Sequence, residues 1–521
     1  MKKLLSCIIV MALLFAGCST AKTPAIEGVQ IKLSDNKITV DGEAVTDDKT
    51  QAVYTANDIV FYLAGQDFTY GEGTKEDEHD QSEADAHTVV HITKPGRYVL
   101  SGELSQGQIA VDLGEEAESD PNAVVTLILN GVDITCTVAP AVIFYNVYEC
   151  GVADEETATK DVDTSKAGAN VIVADGTENN INGSYVAKIY KSYELNEDGT
   201  EVVDSKKLHK YDAAFYSKKT MNVNGGEKGD GILNIKAENE GLDSELHLTV
   251  NGGNINITSG NDGINTNEDN VSVTTINGGK VNILCDGSTG EGDGIDSNGW
   301  LVINGGTVIS QACATSGDAG IDSDLGIYIN GGNVIASGNM LDKIAGGEQT
   351  YAVFSFASRQ VGDSTYILKN ADGKTVGEYA PTNDFTYLLV AGNELVAGDY
   401  TFWQGDTQLS ASSIGNMMNM GEKTDWKGND DGTAPEVPEN MEDMVPPEGM
   451  ENMQRPQRDE NMTMPNGEVP EFPEGMENMK PGGMGGMGNM MNGGEASTTF
   501  TIVEGANQFS NVSPVATTVT E

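Results

Sequence analysis

Between about residues 213 and 337 the chain alternates apolar and polar residues in short runs, and the runs recur. Leu246-His-Leu-Thr-Val250, Asn254-Ile-Asn-Ile257, Lys280-Val-Asn-Ile283 and Leu301-Val-Ile303 each send every second side chain to one face. That is the mark of half-buried strands. The triplet Asn-Gly-Gly punctuates them, beginning at Asn224, Asn251, Asn277, Asn304 and Asn330, at intervals of 27, 26, 27 and 26 residues. A box precedes the triplets: Glu240-Gly-Leu-Asp-Ser, Asp293-Gly-Ile-Asp-Ser and Ala319-Gly-Ile-Asp-Ser, with Asp262-Gly-Ile-Asn-Thr as a variant. Asp212-Ala-Ala-Phe-Tyr-Ser reads as a degenerate first copy.

A period of two nested in a period of 26–27 residues excludes helical repeats, which need apolar residues at i, i+3 and i+4. It predicts an all-β chain built on a right-handed parallel β-helix solenoid, with coils stacked at ~4.8 Å. Leu248, Leu301 and Ile327, then Val250, Ile303 and Ile329, are predicted to stack inward, like on like. The triplet asparagines are expected to form a column at one corner, with Gly supplying positive φ.

The rest of the chain divides around this block. Residues 1–17 read as a lipoprotein signal peptide: Lys2 and Lys3 precede an apolar stretch, and small residues precede Cys18, which is predicted to carry the lipid. The expected product is exported and anchored by that lipid to the cell membrane, facing outside, with no other membrane contact. Residues 18–89 are expected as linker and cap, and 90–345 as the β-helix. A small β-sandwich-like domain is expected from 346–413 with 498–521. Residues 414–497 are rich in Met, Pro, Gly, Asn and Glu and poor in β-branched and aromatic residues. Such a segment builds no core and reads as a disordered insertion, with Cu(I) capture by its methionines left open.

Charge narrows the partners. With 30 Lys+Arg against 80 Asp+Glu, the formal charge of −50 excludes nucleic acid and favours bound cations or basic surfaces. Four cysteines beyond the leader, Cys136, Cys150, Cys285 and Cys313, are too few for a disulfide scaffold. Cys285 and Cys313 follow their triplet Asn by eight and nine residues, so they are expected near one another, bonded or not.

The boxes carry the candidate chemistry. Aligned on the box Gly, Glu240, Asp262, Asp293 and Ala319 stand one position before it. Asn239, Asn261, Gly292 and Asp318 stand two before, and Asp243, Asn265, Asp296 and Asp322 two after. Stacked at ~4.8 Å, two bare carboxylates repel by ~0.9 kcal/mol in water and ~3.5 kcal/mol at an effective dielectric of 20. Hard oxygen ligands without Cys or His point to Ca²⁺, with turn capping as the alternative reading. Trp300 and His247 lie six residues after the box Gly and Tyr328 eight after. Alternation points all three outward, as a sugar-stacking strip or as edge decoration.

Taken in order, Ile92-Thr-Lys-Pro-Gly-Arg-Tyr-Val-Leu-Ser-Gly102, Leu127-Ile-Leu-Asn-Gly-Val-Asp-Ile134, Ala174-Asp-Gly-Thr-Glu-Asn179 and the repeated boxes resemble a known family. It is that of bacterial cell-surface carbohydrate-binding β-helix proteins, similar in architecture to calcium-dependent pectate lyases. The resemblance covers about residues 90–410. It implies polysaccharide binding, usually of plant cell-wall material, and bound calcium. Asp262, Asp293 and Asp296 match the lyase ligand pattern best, with Asp318 and Asp322 in a next site and Glu240, Asn261 and Asn265 on the other side. The stretch Glu149–Gly168 departs from the family as an insertion. A β-eliminating lyase also needs a strong base beside its calcium. Between Leu248 and Asp342 only Lys280 is basic. The expectation is therefore a calcium-binding protein that captures acidic or plant cell-wall glycan without cleaving it. A structural or adhesive stalk and a calcium-dependent polysaccharide lyase remain as alternatives.

Overall fold

The computed structural model describes residues 26–151, 153–414 and 495–515. The leader with Cys18, and residues 415–494 of the Met-rich segment, lie outside the described residues. Within them the chain is built of strands, with one short helix at Gln81–Ala84 and a 3-10 turn at Glu115–Ser119.

Parallel pairing organises residues 29–346 into ladders. The first joins Val29–Leu33 to Gly96–Leu104, Val125–Cys136, Ala169–Val173 and Met221–Gly225. It continues through His247–Val250, Val273–Ile276, Trp300–Ile303 and Gly326–Ile329. The second runs from the far end of Val125–Cys136 through Glu178–Gly183, Ile232–Ala237, Asn254–Ser259, Lys280–Cys285, Thr307–Gln311 and Asn333–Gly338. The third, made of short strands, includes the boxes: Thr88–Ile92, Gly107–Val111, Val142–Phe144, Ala213–Ser217, Glu240–Ser244 and Ile264–Thr266, with Ile295 bridging onward. The chain visits the ladders in turn, so each circuit sets a strand beside its counterpart one period earlier. Leu248, Leu301 and Ile327 lie in one column, Val250, Ile303 and Ile329 in another, and all six are fully buried.

The triplet corners are held by side-chain amides. Asn251, Asn277, Asn304 and Asn330 each donate from Nδ2 to the Oδ1 of the previous triplet Asn, at 3.0, 2.9, 2.8 and 2.8 Å. The second glycine of these four triplets has φ between +82° and +94°, which other residues adopt only with strain. A second column runs through Asn180, Asn234, Asn256 and Asn282, linked at 2.9, 2.8 and 2.8 Å.

Three details refine these expectations. Parallel pairing begins at Val29, within the segment expected as linker and cap, which supplies a rung, Val29–Leu33 beside Tyr98–Gly102. The hairpin Val186–Leu195 with Val202–Tyr211, inside the range 90–345 expected as β-helix, forms a separate two-stranded sheet. Its turn, Asn196-Glu-Asp-Gly-Thr200 between β-formers, was the available signal. The cysteines are free thiols. The ladder's pairing ends at Leu284 beside Gln311, and Cys285 and Cys313 just beyond it are both buried in one core cluster.

Beyond Gly346 the pairing turns largely antiparallel. Phe385–Ala391 runs against Asn333–Gly338 and Tyr351–Gln360. Tyr366–Asn370, Gly398–Gln404 and Thr407–Ser413 complete the region with Phe500–Ile502 and Ala506–Pro514, so both sides of residues 415–494 enter one sheet. Its core is its own and aromatic: Phe354, Phe356, Tyr366, Phe385, Phe402, Phe500 and Phe509.

Candidate functional site

The box glycines bring the acidic residues together. A Cβ on Gly263 would lie 2.1 Å from Ile283 Cγ2, and one on Gly294 would lie 2.3 Å from the Gly320 carbonyl oxygen. Only glycine lets the third ladder approach its neighbours so closely, and the flanking carboxylates are drawn inward with it. The register sets Tyr216, Asp243 and Asn265 in one column, with Asp296 and Asp322 following in the same box position. Glu240, Asp262 and Asp293 form the adjacent one.

Much of the acidic column caps backbone. Asp262 Oδ1 accepts from the Asp293 N–H at 2.7 Å, Asp293 Oδ1 from Ala319 N–H at 2.5 Å, and Asp318 Oδ2 from Gly292 N–H at 2.6 Å. Asn267 donates to both oxygens of Asp243, at 2.9 and 3.0 Å. These bonds do not cancel the cost of burial. Burial, then neighbouring Asp262, pushes Asp293 up to about 9. Burial with Asp324 raises Asp296 to about 6, and burial with Asp342 raises Asp322 to about 7. Glu240, Asp243 and Asp262 are pushed up in the same way, by burial first and by acidic neighbours second.

One lysine relieves the first end of the columns. Lys210 Nζ lies 3.0 Å from Asp212 Oδ2. Burial alone would lower its ammonium, but Asp212, Glu240 and Asp243 hold it above its ordinary value. No Lys or Arg other than Lys280 occurs from Asp262 to Asp322, and Lys280 is exposed at the start of a second-ladder strand.

The oxygens present suit a hard cation. Glu240 Oε2 and Asn265 Oδ1 are buried without a hydrogen-bond partner, although Asn265 Nδ2 donates to Glu240 Oε1 at 3.2 Å. Such orphaned acceptors are rare in folded proteins. Among the described residues, no three His, Cys, Asp or Glu side chains converge closely enough to hold an ion alone. Any shell at Glu240, Asn261 and Asn265, or at Asp262, Asp293 and Asp296, therefore needs amide, backbone or water oxygens to complete it.

The aromatic residues separate. Trp300 and Tyr328 are both partly exposed. Tyr328 stands opposite Val302, so the two rings are diagonal neighbours on the outer face of the first ladder. His247 is different: its strand turns it to that outer face, yet it is 2 % exposed. The insertion around Cys150 and Gly151 lies over it, so closely that a Cβ on Gly151 would come within 2.6 Å of the imidazole. His247 Nδ1 accepts from the Val273 N–H at 3.1 Å, and burial lowers its pKa to about 4. It is a covered residue, not a stacking platform.

The same insertion makes a groove that the sequence did not reveal. Thr164 Oγ1 donates to Thr249 Oγ1 at 2.8 Å, Asn222 Nδ2 donates to the Thr164 carbonyl at 2.8 Å, and Lys160 Nζ sits 5.2 Å from the centre of the Tyr328 ring. Between this loop and the triplet column lies a groove of about 470 Å³, floored by Thr249, Thr275 and Val302 and edged by Asn251, Asn277 and Asn304.

A family model described as carbohydrate-binding domain-containing protein matches residues 86–352, which include the groove and the boxes. A relative from Acetivibrio thermocellus with the same description is 30% identical over 169 residues, 32% of this chain and 44% of the relative. The chain thus spans less than half the length of that relative. A solved structure described as a polysaccharide lyase-like protein from C. thermocellum, in a gadolinium derivative, is 20% identical. It covers 62% of this chain and 99% of its own, with a TM-score of 0.33.

Proposed function

Because the chain belongs to the family of carbohydrate-binding domain-containing proteins, we propose that it captures polysaccharide along the groove beside the asparagine column and does not cleave it. The groove is the observation that carries this reading. It crosses successive strands of the first ladder, so its lining of Thr and Asn repeats at about 4.8 Å. A regular series of amides and hydroxyls offers both donors and acceptors to the repeated hydroxyls of a sugar polymer. Trp300 and Tyr328, diagonal on the same face and flanking Val302 of the groove floor, supply apolar ring surface beside it.

The finer parts of the proposal follow from the same geometry. The ladders visited in turn are read as a right-handed parallel β-helix, followed by the antiparallel domain with its aromatic core. Calcium is proposed at the acidic columns, foremost between Asp262 and Asp322, where buried carboxylates lack the lysine that serves Glu240 and Asp243. A bound cation would neutralise those carboxylates and offer an open position to a sugar carboxylate. The preferred glycan is then acidic, of plant cell-wall type, and the protein works exported and lipid-anchored through Cys18.

A pull-down panel tests this. The full chain is incubated with insoluble neutral and acidic polysaccharides, with calcium or with EGTA, and the supernatant is analysed for released fragments. Binding without fragments is expected, and Trp300→Ala with Tyr328→Ala should weaken capture of neutral glycan about tenfold. Release of unsaturated fragments would make the protein a lyase. Failure to bind any glycan would leave the stalk as the better reading.

A further inference from the structure

The column of triplet asparagines continues past the point where its amides stop. Asn224 stands opposite Ile172, Ile172 opposite Ile128, Ile128 opposite Val99 and Val99 opposite Gln30, all on the outer face of the first ladder. From Val99 to Asn330 the column takes seven steps, about 34 Å at ~4.8 Å each. Its chemistry changes once. Asn251 donates to Asn224 Oδ1, but no amide stands at Ile172, and Asn224 Nδ2 donates to the Val171 carbonyl at 3.2 Å instead.

Beyond that point the face is apolar. Val99, Ile128 and Ala174 form a buried cluster apart from the main core, with Ile26 and Ile172 packed on it and partly exposed. Ile26, Ile128, Ile172 and Ala174 line a cavity of about 840 Å³, within the ~300–1,000 Å³ of small-ligand sites. Its rim carries both signs in equal number, Arg97 and Lys228 against Asp175 and Glu227. Asp175 accepts from the backbone N–H groups of Lys228 and Gly229 at 3.0 Å, which holds that wall in place. Arg97 is exposed and forms no ion pair among the described residues, so its guanidinium can donate to a ligand, and Asn130 adds an amide. A balanced rim over an apolar floor selects no ion. It suits an uncharged group with an apolar end and a carbonyl acceptor.

We propose that the cavity holds an O-acyl substituent, such as an acetyl ester, on the same glycan that lies along the asparagine column. Ile172 and Ile26 take the acyl methyl, and Arg97 and Asn130 donate to the ester carbonyl. A chain laid along the amides meets apolar ground on reaching Ile172. There a bare hydroxyl finds no partner in the column, whereas an acylated one buries its methyl. The proposal rests on the reading of the groove as a glycan site.

Calorimetric titration of the full chain tests it, with a long O-acetylated xylo-oligosaccharide and the same oligosaccharide deacetylated in alkali. The acetylated form should bind about tenfold more tightly. Ile172→Gln and Arg97→Gln should each shrink that preference and leave the affinity for the deacetylated form unchanged. Trp300→Ala with Tyr328→Ala should weaken both forms alike, so groove and cavity can fail separately. Equal affinities in a protein that binds both forms would overturn the proposal and spare the groove, and binding of neither would remove both. A preference that survives both substitutions would also overturn it. So would one that emerges only once the residues before Ile26 are cut away, which would give the cavity to that segment.

Discussion

Gly306 has φ of +82°, and a Cβ on its neighbour Gly305 would lie 2.7 Å from the Asn277 carbonyl oxygen one period earlier. The first glycine of the triplet is thus held by close approach alone, whereas the second is held by both conformation and close approach, since a Cβ on Gly306 would lie 2.8 Å from the Gly279 carbonyl oxygen. Gly306→Ala should destabilise the protein by ~1–2 kcal/mol. Gly305→Ala should cost less, because backbone of the adjoining coil must move in both variants but only Gly306 adds the strain of a positive φ. Urea unfolding with an unchanged m-value measures both, and equal losses would remove the distinction. The triplets were legible because strain and close approach leave almost no substitute for Gly, so the motif repeats visibly. The second asparagine column was not: its steps of 54, 22 and 26 residues are broken by loops and the hairpin. A column in space becomes a period in sequence only where the intervening chain is constant in length.

Single elements show where alternation stops being informative. The pattern of Leu246 to Val250 indicates correctly which face His247 occupies. It says nothing about the insertion from Glu149 to Gly168, which returns across that face and buries it. The groove was hidden for the same reason, since its two walls lie far apart in sequence, Thr164 being 85 residues from Thr249, and meet through Thr164 with Thr249 and Asn222. The acidic boxes, by contrast, were legible residue by residue, being local and repeated. If the cover is what depresses His247, shortening the loop between Ala153 and Val162 should let its pKa climb from about 4 toward the ~6.5 of a solvated imidazole. Proton NMR titration of the imidazole reads this directly. A pKa still near 4 in the shortened protein would place the cause in the ladder itself.

At the scale of the whole molecule the question is how a chain of charge −50 keeps a file of carboxylates inside its third ladder. Asp296, Asp322 and Asp293 have folded-state values of about 6, 7 and 9, against ~3.9 for an unfolded Asp. A folded pKa above the unfolded one means that the folded protein retains protons the unfolded chain has released. Stability from these groups is therefore fully present below about pH 4, and is lost as pH rises through 6, 7 and 9. In EGTA the melting temperature should fall steadily between pH 5 and pH 9. On the calcium proposal, an ion that binds only the folded state should take over from the protons and add RT ln(1+[L]/Kd), ~2.7 kcal/mol at a hundredfold excess over Kd. Its effect should be small near pH 5 and largest near pH 9, because protons and the cation compete for the same oxygens. Asp293→Ala should both flatten the EGTA profile and lose more of the calcium gain than Asp243→Ala, since Lys210 already stands near Asp243. Thermal melts across that pH range, with and without calcium, check each part. Superimposable profiles at pH 9 would mean that the backbone caps on Asp262, Asp293 and Asp318 are all the relief the columns have.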